Sequence, residues 1–102
     1  MNSKGYSSYS EFIKENGRAG EGYEWHHIVE QRSSNIEHFG PERIHNKDNV
    51  IRLPKDIHRK ISGYYSSKPV ELQGLTVRKW LDGKSFDFQY EYGRAILQKY
   101  GY

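Results

Sequence analysis

The chain has 102 residues, of which 34% are hydrophobic, 28% charged and 15% aromatic. This length suits one small domain, and nine Tyr, four Phe and two Trp supply the bulky core material that disordered segments lack. The chain has no cysteine, which excludes disulfides, cysteine zinc sites and cysteine nucleophiles. We expect a soluble domain, because no apolar run approaches the ~18 residues of a membrane span and residues 1–10 are too polar for a signal peptide.

The first half of the chain predicts one helix and one strand. Residues 1–10 are rich in Ser, Gly and Tyr and predict a linker. A short helix follows, with Ser10 as N-cap and Gly17 as its stop. Aromatic and β-branched residues over Tyr23–Val29 predict a strand. The polar stretch from there to residue 48 predicts an irregular loop, broken at Gly40-Pro41.

The second half of the chain predicts a strand and three helices. Asn49–Leu53 reads as the second strand, and Pro54 stands where a helix to about Tyr65 begins. After a loop over residues 66–74, Leu75–Leu81 predicts a helix that ends at Gly83. A last helix starts from Ser85. The fold class expected is α+β, with the middle ββα as the functional unit, an N-terminal helix and two C-terminal helices; residues 11–102 form the domain, with the core over about 23–65.

Two adjacent histidines, His26 and His27, end the first predicted strand. On a regular strand their side chains point to opposite faces, so they converge on one site only where the strand bends into a loop. A structural alternative is one buried and one exposed histidine. Asn49 is followed nine residues later by His58, which the predicted helix can aim back at the end of the first strand. Alone, such a helical histidine is more often structural.

One sequence pattern resembles the HNH or ββα-metal (endonuclease VII-like) nuclease motif. It runs through a strand, a loop, a second strand and a helix, and its residues are Trp25-His26-His27, Asn49 and His58. The closest likeness within it is to the tandem-histidine "WHH" toxin domains. The segments IHNKDNVIRLPKDIHRKISGYYSS and TVRKWLDGKSFDFQYEYGRAIL are similar to C-terminal domains of Bacillus-type (LXG-like) polymorphic toxins. The HNH resemblance covers about residues 23–61, and the toxin resemblance extends almost to the C-terminus.

The resemblance implies a role for each motif residue. His26 and His58 are metal ligands, His27 is the general base that takes a proton from the attacking water, and Asn49 braces the loop and orients the base. Colicin-type DNases add a helical histidine where this chain has Ser62, which weakens metal affinity without removing the site. The implied cofactor is one divalent ion. Imidazole ligands suit zinc, nickel or manganese better than magnesium, but the sequence does not choose among the four.

This chemistry is physically coherent without the family. A divalent ion neutralises charge on the phosphate and assists the leaving oxygen, while a neutral histidine near pH 7 activates water. Basic residues in and around the ββα unit suit phosphate contacts: Arg43, Lys47, Arg52, Lys55, Arg59 and Lys60. Of these, Arg52, Lys55 and Arg59 are the predicted substrate-binding residues, and a merely solvated face is the alternative. We expect His45 to be a structural or loop histidine, with a third metal ligand or a substrate contact as the alternative. We expect His38 to be exposed, and Glu30 to be a surface residue or the partner of a ligand imidazole.

The resemblance implies a metal-dependent endonuclease of low sequence specificity that cuts DNA or RNA. It would be the toxin module of a larger secreted protein, act in the cytoplasm of the target cell and be neutralised by an immunity protein with an acidic contact surface. A membrane partner is not expected. Two alternatives stay open: an inactive nucleic-acid- or protein-binding module on the same fold, and a metal-independent ribonuclease that uses a His pair as acid and base.

Overall fold

A computed structural model describes residues 4–102 of the chain and has an α+β fold. Two strands form one antiparallel sheet, and helices pack around it. In chain order the elements are α1 (Tyr9–Asn16), β1 (Tyr23–His27), α2 (Ser33–Phe39), α3 (Pro41–Ile44), β2 (Val50–Pro54), α4 (Lys55–Tyr65), a 3₁₀ helix (Val70–Leu72), α5 (Val77–Leu81) and α6 (Phe86–Lys99). In the part of the chain described, no helix is both long enough and apolar enough to cross a bilayer.

The sheet pairs β1 with β2 from end to end. Tyr23 lies opposite Pro54 and His27 lies opposite Val50. The two tandem histidines are therefore both regular strand residues, and β1 ends two residues before the predicted boundary at Val29. α4 follows β2 without a loop, because Pro54 occupies its N-cap position, close to the predicted start.

The segment between the strands contains two helices where the sequence predicts an irregular loop. That prediction is wrong because tertiary contacts stabilise helices that the polar composition does not suggest. Asn35 on α2 is buried and bonds to Gln89 of α6 and to the Glu30 carbonyl. Gly40, at φ 86°, ends α2 in a conformation that suits glycine, and Pro41 begins α3.

The main core lies between the sheet and the helices α4, α5 and α6. Its buried side chains are Ile28, Leu53, Ile61, Tyr65, Val77, Leu81, Ile96 and Leu97. α6 approaches the end of β1 closely at Gly93, where an added Cβ would lie 2.8 Å from both the Cγ2 and the carbonyl oxygen of Ile28. This contact fixes the residues that follow the tandem histidines.

The N-terminal residues are part of the folded domain. Tyr6 is buried with Phe12 and Val50 in a second apolar cluster, and Gly5 forms a β-bridge with Asn46. The segment over residues 4–10, which the sequence places in a linker, is thus tied to the fold through Gly5 and Tyr6 and enters α1 at Tyr9, while residues 1–3 lie outside the described part of the chain. The helix α1 is capped by Ser8 rather than Ser10, and it stops at Gly17 as predicted.

The two C-terminal helices agree with the sequence pattern in order and capping. Ser85 is the N-cap of α6 as predicted, and its hydroxyl accepts from the amide of Phe88. α5 starts two residues later than predicted because Thr76 supplies its N-cap, and Asp82 ends it just before Gly83. The predicted loop over residues 66–74 includes the short 3₁₀ helix.

Candidate functional site

A cavity of about 140 Å³ lies between β1 and α4. Its lining includes three residues that the sequence singled out together: His26, His27 and His58. The other lining residues are Trp25, Glu30, Gln31, Ile61, Ser62 and Tyr65. The strand and the helix that carry the histidines therefore meet at one concave site.

His26 and His58 face each other at this cavity. Their ring centroids are 5.3 Å apart and their planes cross at 74°. Burial, and secondarily the positive charge that His58 can carry, lowers the pKa of His26 to about 4. Within residues 4–102, the buried Nε2 atom of His26 has no hydrogen-bond partner. A buried ring nitrogen without a partner is costly, and a cation on its lone pair is one way to satisfy it.

Glu24 holds His58 through a hydrogen bond to the Nδ1 atom of its ring. The Nδ1 atom of His58 lies 2.7 Å from Oε1 of Glu24, and it must donate because a carboxylate only accepts. This hydrogen bond lowers the pKa of Glu24 below its usual value. A neutral His58 then carries its lone pair on Nε2. A carboxylate that fixes a histidine in this way is a frequent partner of metal-binding imidazoles.

His27 lies on the opposite side of β1 from His26, because successive strand side chains alternate. Its Nε2 atom is 3.2 Å from Nδ1 of His45, and the ring of Tyr9 packs against both imidazoles, with centroids 5.3 and 6.1 Å away. Burial, followed by the charges of the neighbouring histidines, lowers the pKa of His27 to about 3. Because of this low pKa, His27 is neutral at pH 7. It also lines the cavity, beside His26 and His58.

Asn49 links the two segments that carry the histidines. Its side chain is buried, its Oδ1 accepts from the amide of Val29 at 2.8 Å, and its Nδ2 donates to the carbonyls of Val29 and Ile44 at 2.9 Å each. Its backbone carbonyl accepts from Ile28. Asn49 thus joins the residues just after His27 to the residue just before His45.

The three predicted substrate-binding cations lie in different surroundings. Lys55 and Arg59 are exposed on the first turns of α4, and Nη2 of Arg59 is 3.8 Å from Oε2 of Glu24. Arg52 is exposed on β2, but its Nε donates to the carbonyl of Ala19 at 2.6 Å and its guanidinium stacks 3.7 Å from the ring centroid of Tyr23. Lys55 and Arg59 therefore border the His58–Glu24 pair, whereas Arg52 also orders the turn before β1.

Other residues near the cavity have structural partners. Glu30 forms a bidentate ion pair with Arg78, at 2.8 and 2.7 Å, rather than bonding a histidine. Ser62 lines the cavity and is exposed, one turn after His58. The hydroxyl of Tyr65 is buried and, across the described chain, has no hydrogen-bond partner. His38 is exposed on α2, as predicted.

The imidazoles of His26 and His58 are the two side chains at this site that could hold a cation between them. In the region from residue 4 to the C-terminus, no three His, Asp or Glu side chains group closely enough to hold a metal ion together. No family model, curated protein or solved structure matches the chain. Its chemistry is therefore inferred from the side chains themselves.

Two residues of this site were not singled out for their roles by the sequence. Glu24 shares a strand face with His26, two positions away, and that period of two is the signal that could have found it. His45 was expected to be structural, but nothing in the sequence pairs it with His27. Its approach depends on α3, a helix that the sequence did not predict.

Proposed function

We propose that this chain is a metal-dependent endonuclease that hydrolyses phosphodiester bonds of nucleic acid on an HNH-type ββα unit. The observation that carries the proposal is the unpartnered, buried Nε2 of His26, as seen over residues 4–102, facing the Glu24-bonded ring of His58. The order of β1, β2 and α4, with the tandem histidines at the end of β1, supports it.

The donor set fits a divalent cation. His26 and His58 would hold the ion through imidazole nitrogens, and water and a substrate phosphate would complete its coordination, as in open catalytic sites. When bound, the ion supplies charge neutralisation at the phosphate and assistance to the leaving oxygen. Two imidazoles favour zinc, nickel or manganese, while magnesium prefers oxygen donors.

The remaining residues would divide the work of binding and activation. His27, neutral at pH 7, would take a proton from the attacking water. Asn49 would keep the ends of the two strands in register through its three side-chain hydrogen bonds. Lys55 and Arg59, exposed beside Glu24, would contact the phosphate backbone without reading its sequence.

The resemblance to polymorphic toxins extends this proposal to the whole protein. In it, the chain is the toxin module of a larger secreted protein and acts in the cytoplasm of a target cell. A cognate immunity protein would mask the site, and an acidic contact surface would complement the exposed Lys55 and Arg59.

Cleavage assays with and without a chelator test the activity. The chain is incubated with plasmid DNA and, separately, with total RNA in Mg²⁺, Mn²⁺, Zn²⁺ or Ni²⁺, with EDTA as the matched condition. We expect cleavage of at least one substrate, abolished by EDTA and reduced about 100-fold or more in His27→Ala. His38→Ala, which removes an exposed histidine on α2, is the control and should cut like the wild type.

The alternatives give different results in the same assay. Cleavage in excess EDTA that leaves 2′,3′-cyclic phosphate ends would replace the proposal with a metal-independent ribonuclease. Binding of nucleic acid with no cleavage under any of the four metals would indicate an inactive binding module. Equal cutting by His27→Ala and the wild type would remove His27 as the base.

A further inference from the structure

His27 and His45 form a hydrogen-bonded pair whose partners are both held in place. The side chains are 6% and 3% exposed, and Nε2 of His27 lies 3.2 Å from Nδ1 of His45. The backbone of His45 is tied at both ends, since its amide donates to the carbonyl of Pro41 and its carbonyl accepts from the amide of Tyr6. The contact is thus built into the fold, with Tyr9 packed against both rings.

Only two arrangements of protons satisfy this contact when both rings are neutral. Either His27 donates from Nε2 to a lone pair on Nδ1 of His45, or His45 donates from Nδ1 to a lone pair on Nε2 of His27. The first places both rings in the Nε2–H tautomer, which a histidine side chain prefers intrinsically. The second needs both rings in the less stable Nδ1–H tautomer. The first arrangement is therefore favoured, and it puts the lone pair of His27 on Nδ1.

We infer that His45 is a positioning residue for His27: by accepting from Nε2–H, it fixes the ring orientation of the base and leaves Nδ1 as the proton acceptor. This inference rests on the proposed nuclease function. A base must present its lone pair to the attacking water, and a ring in the wrong tautomer presents an N–H instead. His45 would do this without touching substrate or metal.

Nitrogen NMR of the histidine rings in the wild-type chain tests the tautomer directly. With EDTA present at neutral pH, we expect His27 to carry its proton on Nε2, with Nδ1 unprotonated. His45→Leu removes the acceptor at similar side-chain size. In this variant the second tautomer of His27, protonated on Nδ1, should become populated as well. A wild-type His27 protonated on Nδ1 would overturn the inference, and this measurement holds even where the leucine variant does not fold.

Kinetics of the full chain test the consequence for cleavage. His45→Leu should lower kcat between about 10- and 100-fold, with KM and Zn²⁺ affinity unchanged. His45→Asn offers an acceptor oxygen near the position of Nδ1 and should recover most of the rate, a rescue that a packing role would not give. His38→Leu is the control.

The outcomes separate this inference from the function on which it rests. A wild-type chain that cuts no substrate overturns the proposed function and this inference with it. A wild type that cuts, beside a His45→Leu variant of equal kcat, overturns the role of His45 alone. An Asn variant as slow as the Leu variant has the same meaning, because the acceptor then makes no difference.

Discussion

Two histidine pairs lie on opposite sides of β1, and they have the same ring separation but different contacts. The centroids of His26 and His58 are 5.3 Å apart, as are those of His27 and His45. The second pair is joined by a hydrogen bond, whereas the buried Nε2 of His26 has no partner among residues 4–102. The first pair therefore has a buried nitrogen left without a partner in that range, which we propose binds a cation, whereas the second pair is hydrogen-bonded internally.

This difference follows from the alternation of side chains along a strand. Adjacent residues point apart, so a tandem His-His gives one imidazole to the helix α4 and the other to α1 and α3. In the proposed function, this spacing of one residue separates the base His27 from the ligands His26 and His58, so that the lone pair of His27 stays available for the proton of the attacking water. The following predictions test whether the two sides are as distinct as their contacts indicate.

Metal affinity should distinguish the two pairs most strongly. His26→Ala or His58→Ala removes one of the two proposed imidazole donors, so the loss of Zn²⁺ affinity should exceed the roughly 10- to 100-fold typical of changes at residues that hold a ligand in place. Titration calorimetry at pH 7 measures it. His45→Leu, on the other side of β1, is the matched control and should bind Zn²⁺ like the wild type. Undiminished affinity in His58→Ala would show that the cation, if any, binds elsewhere.

The free energy of unfolding should depend strongly on Asn49, which connects the segments that carry His27 and His45. Asn49→Ala leaves the amide of Val29 and the carbonyls of Val29 and Ile44 without their side-chain partner. Since each buried group left unsatisfied costs about 1–3 kcal/mol, the free energy of unfolding should fall by about 3 kcal/mol or more. Urea unfolding in EDTA measures the change. Asn16→Ala, which deletes one bond to the carbonyl of Phe12 at a helix end, should cost far less, and equal losses would contradict the bracing role.

Acidification of the metal-free protein tests whether burial keeps the imidazoles of both His26 and His27 neutral. Burial lowers the pKa values of His26 and His27 to about 4 and about 3, whereas a histidine in the unfolded chain has a pKa near 6.5. Below about pH 6.5 the unfolded chain therefore binds more protons than the folded chain. Stability is therefore complete above about pH 6.5 and falls as the pH drops, by up to about 1.4 kcal/mol per pH unit for each histidine.

Urea unfolding in EDTA at pH 7, 6 and 5 measures this slope. The range stays above the titration of ordinary carboxyls, so histidines dominate it. His26→Gln and His27→Gln should each reduce the slope, whereas His38→Gln, at an exposed position, should leave it unchanged. A stability that is equal at pH 5 and pH 7 would mean that neither imidazole is held neutral by burial.

The sequence predicted the strands and the α4 helix, because those depend on local pattern and spacing. The roles of His26, His27, Asn49 and His58, which the family resemblance implied, stay predictions. The sequence did not anticipate α2 and α3, whose stability comes from contacts such as Asn35 with Gln89, 54 positions apart. The partner of His27 was missed for the same reason, since α3 positions His45. Glu24 was missed although its strand periodicity was readable, because an acidic residue on a short strand is more often solvated.

Glu24 therefore gives the most sensitive test of the proposed metal site. It accepts from Nδ1 of His58 at 2.7 Å, and its pKa lies below the usual value, so it is ionised at pH 7. Glu24→Gln keeps the size and an acceptor oxygen but removes the charge that makes His58 more electron-rich. We expect Zn²⁺ affinity to fall about 10-fold by calorimetry, the low end for such partners of a ligand. Glu37→Gln, an exposed substitution on α2, controls for net charge. Equal affinities in the two variants would show that Glu24 acts only on the exposed Arg59 and not through His58.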